Sequence, residues 1–258
     1  MKNRFYFYLV IALVLSIAGL AGQINSAQAQ EKSSPSFTAL QKKEMEKIIG
    51  DYIRAHPEII LESVRAMQER ERANEKQRGL NNLVTYRELI LNDPTSPIGG
   101  NPKGDVTIVE FFDYNCGYCK RVHPTIEKLI AEDKNIRFVY KEFPILSPQS
   151  ELAARAALAA WRQDKSVYVP LHRDFINLKG GFSEGRILRL AKKYELDTAQ
   201  LKKDMNSESM GKIIAGNRAL AQQLGITGTP GFIIGNQIVP GAVDLATLKQ
   251  MVAEARKG

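Results

Sequence analysis

The chain holds two cysteines in 258 residues, and both lie in one short run, Phe111-Phe112-Asp113-Tyr114-Asn115-Cys116-Gly117-Tyr118-Cys119-Lys120. On a helix, residues three apart share a face. At a rise of ~1.5 Å per residue their Cα atoms fall within the roughly 4.4–6.8 Å that a disulfide spans. The chemistry this offers is thiol–disulfide exchange, in which a thiolate attacks a disulfide sulfur. Cys116 opens the expected helix, where free N–H groups and the helix dipole favour an anion. Its pKa is therefore expected below the free value of about 8.5, within about 3.5–7.5. Cys116 is read as the exposed nucleophile. Cys119, inside the first turn, is read as the resolving thiol that displaces a captured client. Lys120 either adds positive potential or is simply solvated.

Zinc is the main competing use of a CxxC, but a structural zinc site needs four ligands. Besides the two cysteines the chain offers three histidines, His56, His123 and His172. His123 could share the Cys119 face, yet it reads as a partly buried helix histidine beside Pro124. His56 reads as a helix-break residue and His172 as part of a helical block. No metal site is expected, and the redox-active Cys116–Cys119 pair needs no other cofactor. Capture of Cu(I) by the two soft thiolates stays as an alternative function class, as does a scaffold that keeps the fold without the chemistry.

The flanking pattern says what must hold these sulfurs. Val106–Asp113 is a β-rich run that reads as a buried strand, with a helix expected from about Cys116 to Asp133, and Ile136–Phe143 reads as a second strand. The strand–helix–strand unit should be a right-handed parallel crossover. From about 148 to 225 the pattern is helical and alanine-rich, with breaks expected at Pro170, Gly180-Gly181 and Gly185. Gly228-Thr229-Pro230-Gly231-Phe232 then leads into two short strands around Gly235-Asn236, a hairpin signal. Asp244 can cap a last helix. Pro124 should kink the active-site helix. Glu110, six residues before Cys116, stands inside the strand run, where a carboxylate is costly unless used or paired. The alternation around it could also turn it to a polar face. Arg137 and Lys141 are its two basic partner candidates.

Ahead of this α/β domain, Phe37 to about Leu91 reads as helix broken at His56-Pro57. Leu40, Met45, Ile48, Ile49, Tyr52 and Ile53 recur at helical spacing, Ile60, Val64 and Met67 make a narrow stripe, and Leu80, Leu83, Val84 and Tyr86 form a later patch. Such a thin region cannot bury these patches alone; it must dock on the main domain or on another copy of itself, and self-association is preferred. The expected organisation is a signal peptide over 1–29, a helical extension over 30–92, a linker over 93–104 rich in Pro and Gly, and a catalytic domain over 105–258. Lys2 and Arg4, the uncharged run Phe5–Gly22 and Ala27-Gln28-Ala29 predict export with cleavage after Ala29. The alternative is an uncleaved anchor. The exported compartment permits disulfides. The formal charge of +8 falls to about +6 without Lys2 and Arg4. Its densest stretch, Glu69 to Arg78, mixes both signs, which argues against a nucleic-acid partner.

The strand ending in an acidic-aromatic run, the CxxC opening a helix, the helical insertion and the late Thr-Pro together resemble the DsbA-like thioredoxin-fold family over roughly Asp105 to the C-terminus. That resemblance implies an α/β thioredoxin fold with a helical insertion and a cis Pro230 packed against the CxxC. It further implies that the Thr229 backbone pairs with an extended client and that Glu110 handles the proton of the buried cysteine. Gly117-Tyr118 makes a CGYC like that of DsbC-type isomerases. The helical extension with His56-Pro57-Glu58 is similar to ScsC- and Com1-type proteins, some of which oligomerise through it. The implied function is a periplasmic thiol:disulfide interchange protein, isomerase or reductase, with a DsbA-type oxidase as runner-up. The implied partners are unfolded or misfolded exported proteins with cysteines, a DsbD-like or DsbB-like membrane redox protein, and other copies of the chain through residues 37–91.

Overall fold

The computed structural model describes residues 37–257, so the expected leader and its cleavage site lie outside the described residues. Among the described residues no helix is long and apolar enough to cross a membrane. The chain divides into two compact units, one ending at Val64 and the other beginning at Arg65.

The first unit contains helix α1, Ala39–Ala55, opened by a capping box in which Thr38 accepts from the Gln41 N–H. No residue of α1 is buried, and Leu40, Ile48, Ile49, Tyr52 and Ile53 stand exposed along it. The helix stops at His56, before Pro57, and α2 runs from Glu58 to Thr85.

The second unit is built on a five-stranded sheet in the order β1-β3-β2-β4-β5, from β1 Ile98–Gly100, β2 Val106–Phe112, β3 Ile136–Glu142, β4 Gly231–Ile234 and β5 Gln237–Pro240. Strands β2 and β3 run parallel and every other pairing is antiparallel. Helix α4, Gly117–Glu132, makes the β2–β3 crossover, after the short α3, Arg87–Leu91. The insertion between β3 and β4 holds α5 Pro148–Gln163, a 3₁₀ turn Lys165–Val167, α6 Tyr168–Ile176, α7 Glu184–Lys193, α8 Thr198–Met205 and α9 Glu208–Gln223. Helix α10, Leu245–Ala255, closes the chain under an Asp244 cap that accepts from Thr247 N–H at 2.8 Å. Pro170 and Gly185, expected as breaks, sit in the first turns of α6 and α7. There a missing N–H or a small residue costs the helix little.

Both faces of the sheet are covered, which is why β2 and β3 are buried along nearly their whole length rather than at alternate positions. Side-chain parity sorts the two faces. Ile108, Phe112, Phe138 and Tyr140 join one core with α4 and the insertion, while Val109, Phe111, Val139 and Ile233 join a second with Leu83, Ile90 and Leu224.

That second core corrects two expectations. Leu83 is buried in it, and Leu80 and Tyr86 pack against it, so the later apolar patch docks on its own sheet-bearing unit instead of on another copy. Close approach there depends on Gly79, whose missing Cβ would lie 2.9 Å from the Leu224 carbonyl oxygen. The compact unit that carries the sheet begins near Arg65. The stretch 93–104, expected as a linker, contributes edge strand β1, paired Ile98↔Val139. Proline and glycine in this stretch were read as breakers. They instead shape an edge strand, where Gly100 takes a positive φ of 64° and the missing donor of a proline is tolerated.

Candidate redox site

Strand β2 ends at Phe112, and three residues bring the chain to Cys116, the N-cap of α4. The Cys116 sulfur replaces the usual oxygen cap and accepts from the Cys119 N–H at 3.4 Å. On its other side it donates to the Thr229 carbonyl oxygen at 3.2 Å. Thr229–Pro230 is a cis peptide. It comes just before β4, which pairs with β2 through Phe111↔Gly231, and this register is what carries residues 229–230 to the head of α4. Sites 113 residues apart in sequence therefore meet because two neighbouring antiparallel strands end at the same edge.

Both cysteines are free thiols. Cys119 is 1% exposed, and Cys116, expected to be open to solvent, is itself only 5% exposed. The fold of residues 229–230 over the helix head accounts for that cover. Tyr118, 59% exposed, is the prominent surface feature, with the Arg121 guanidinium 4.2 Å above its ring. Gly117 faces open space. Lys120 turns away to donate to the Leu178 carbonyl at 3.1 Å, which ties α4 to the insertion. Pro124 stands inside α4 and is exposed.

Glu110 shares its sheet face with Ile108 and Phe112 and is buried, not turned to a polar side. Burial pushes its carboxyl up to about 8. Neither basic candidate reaches it, and strand parity gives the reason. Arg137 and Lys141 alternate with Phe138 and Tyr140, so they face the opposite side of the sheet. Lys141 is committed there, to Asp93 at 2.8 Å and the Leu89 carbonyl at 2.7 Å. Burial also holds the Cys119 thiol far above its ordinary value, and the charge of Glu110 adds to the shift.

Three residues that carried no role in the sequence reading lie beneath this site. Glu142, at the end of β3, is fully buried and accepts from Tyr114 Oη at 3.1 Å and Tyr168 Oη at 2.8 Å. His172, on α6, lies 3.1 Å from the Tyr114 hydroxyl through Nδ1. His123, on the same helix as the cysteines, is buried beside His172, with its ring 5.2 Å away. Burial lowers the basicity of both imidazoles. The available signal was the parity of Ile136–Glu142, which puts Glu142 on the face of Phe138 and Tyr140. Among the described residues no three His, Cys, Asp or Glu side chains gather as metal ligands.

Comparison with known proteins agrees with this geometry. The profile of the DSBA-like thioredoxin domain matches residues 107–253, and that of the copper resistance protein ScsC N-terminal domain matches residues 41–74. A thioredoxin-like oxidoreductase from Silicibacter pomeroyi is 45% identical, with a TM-score of 0.63, over 67% of this chain and 98% of that one. Proteus mirabilis ScsC in a transitional conformation is 31% identical, with a TM-score of 0.64, over 86% of this chain and 99% of that one. Disulfide bond formation protein D of Bacillus subtilis is 23% identical over 63% of this chain and 78% of its own length. The chain also matches Na(+)/H(+) antiporter NhaA 1 of Salinispora arenicola at 26% identity, spanning about a quarter (25%) of that protein. The profile covers the residues that form α4 and most of the sheet, and the chain belongs to the DSBA-like thioredoxin domain family of thiol–disulfide oxidoreductases, carrying an ScsC-type N-terminal domain ahead of it.

Proposed function

We propose that this protein is a periplasmic thiol:disulfide interchange enzyme that acts on disulfides of exported proteins in the isomerase or reductase direction. The observation that carries the reading is the Cys116 sulfur at the head of α4, bonded to the Cys119 N–H and set against the Thr229 carbonyl beside cis Pro230. In the first step the Cys116 thiolate attacks one sulfur of a client disulfide, and the other client sulfur leaves as a thiolate. In isomerisation a second client thiolate attacks the client sulfur of that mixed disulfide. Cys116 is expelled unchanged, with no net transfer of electrons. In reduction Cys119 attacks the Cys116 sulfur instead and releases the second client thiolate. Two electrons pass to the client and the Cys116–Cys119 disulfide forms. A DsbD-like membrane dithiol would then restore the pair.

The buried Cys119 thiol must lose its proton before it attacks, and Glu110, with a carboxyl near 8, is suited to take it at neutral pH. The Thr229 backbone, next to cis Pro230, would pair with an extended client strand beside Cys116. The isomerase direction rests on α1, whose exposed apolar residues would join copies of the chain and bring several CxxC sites to one client at high effective concentration.

The test is refolding of a client with scrambled disulfides, by the full mature chain and by a chain lacking 37–64. The deletion stops at Val64 because residues beyond it supply the catalytic unit's own core. Loss of isomerisation with retained dithiol oxidation supports the reading. Full isomerisation by the truncated chain refutes the oligomer-dependent part. A strongly oxidising Cys116–Cys119 couple with no isomerase activity would make the protein a dithiol oxidase like those that form disulfides.

A further inference from the structure

The segment that delivers Cys116 is only three residues long, and each of its side chains is anchored. Asp113 accepts from its own loop at Asn115 N–H (2.8 Å) and from the backbone N–H groups of Ile145 and Leu146 (2.9 and 3.0 Å). Asn115 donates to Ser147 and Ser150 at 2.8 and 3.0 Å. These two anchors go to the same short stretch after β3. The Tyr114 hydroxyl goes elsewhere, to Glu142 at the end of β3 and to His172 in the insertion. A segment held to one stretch can still swing about it; a second attachment in another element removes that freedom.

The hydrogen-bond directions within this second attachment are set by Glu142. One oxygen, Oε1, accepts from both tyrosines, so the Tyr114 oxygen is left to accept from His172 Nδ1–H. The other oxygen, Oε2, is buried without a partner. Buried polar atoms are nearly always paired, so this orphan is a cost the fold carries in order to keep a carboxyl here. Burial raises the Glu142 carboxyl well above the ordinary carboxylate range and lowers the His172 imidazole well below its own.

We propose that Glu142 is a positioning residue for the reactive cysteine: by accepting the Tyr114 hydroxyl it locks the segment that holds the Cys116 sulfur at the head of α4. This rests on the exchange reading given above. Loosening Tyr114 should weaken the sulfur's cap contact with the Cys119 N–H, a bond stronger to a thiolate than to a neutral disulfide sulfur. Variants that break the anchor should therefore favour the disulfide.

The experiment is the thiol–disulfide equilibrium of the full mature chain with glutathione, run beside thermal unfolding for wild type, Tyr114→Phe, Glu142→Leu, Glu142→Gln and Tyr168→Phe. Tyr114→Phe and Glu142→Leu should each shift the equilibrium roughly two- to tenfold toward the disulfide, the equivalent of one hydrogen bond. Glu142→Gln keeps an oxygen acceptor and should stay within about twofold of wild type by the same measure. Tyr168→Phe removes a bond of the same kind from Glu142 while the Tyr114–Glu142 bond stays, so it should lower stability and move the equilibrium less than Tyr114→Phe does. Should Glu142→Leu not fold, Tyr114→Phe decides alone. An equilibrium unmoved by Tyr114→Phe, or moved as far by Tyr168→Phe, overturns the proposal while the exchange reading stands. A wild-type chain that does not equilibrate with glutathione at all overturns both.

Discussion

Glu110 shows how a single group can serve chemistry at a cost to the fold. Desolvation alone raises its carboxyl from 4.5 to about 8. A pKa raised on folding contributes fully to stability below the unfolded value, and that contribution is lost as pH climbs through the folded value. Glu110 should therefore weaken the protein progressively from about pH 4.5 to pH 8, by about 3 kcal/mol at pH 7. Glu110→Gln is expected to be more stable than wild type in urea at pH 7 and nearly equal to it at pH 4. In the proposed reaction the same variant should resolve mixed disulfides more slowly at neutral pH, which a chase of a client-trapped species by Cys119 would measure. A variant no more stable at pH 7 would show that Glu110 ionises without penalty. Cys116 and Cys119 were legible in the chain because their signal is a local spacing, and Thr229 and Pro230 through the family resemblance that the CxxC opened. Glu142 and His172 were not, because each acquires its meaning from what a distant element places against it.

Among the elements, the strands, α4 and the terminal helix could be anticipated from apolar runs and caps. The stretch 93–104 could not, since an edge strand of three residues has too little pattern to stand out from its prolines and glycines. What secures this stretch is an ion pair beneath the sheet. Lys141 is 1% exposed and bonds Asp93, joining β3 to the segment between α3 and β1. Burial alone would raise the Asp93 carboxyl, but the Lys141 ammonium and the Thr95 hydrogen bonds outweigh it and bring it down to about 2. Its stabilising effect is thus present above pH 3.8 and is lost as pH falls toward 2. Asp93→Ala leaves a buried ammonium with only the Leu89 carbonyl, and it should cost about 3 kcal/mol or more at pH 7. Urea denaturation checks this. The loss should shrink at pH 2, where wild-type Asp93 is itself losing its charge. An equal loss at both pH values would mean that packing, not the ion pair, holds the segment.

At the scale of the whole molecule the two apolar regions of the N-terminal helices have opposite fates, which hydrophobic spacing alone could not separate. The patch near Leu83 completes the catalytic unit, whereas Ile48, Ile49 and Tyr52 on α1 stand exposed among the described residues. A large aliphatic side chain gains about 1.5–3 kcal/mol when it leaves water, so a row of them on a helix with no buried residue is strongly driven to associate. The proposed partner is another copy of the same helix, because an isomerase gains from clustered thiols. Replacing both Ile48 and Ile49 with Glu places two charges in the proposed seam and leaves the redox unit intact. The mature wild type should sediment as an oligomer and the double variant as a monomer. The variant should keep its glutathione equilibrium within about twofold, since no hydrogen bond at the redox site changes, and should lose most refolding of a scrambled client. A wild type that sediments as a monomer and still reshuffles disulfides would show that α1 serves some other surface and that one CxxC site suffices.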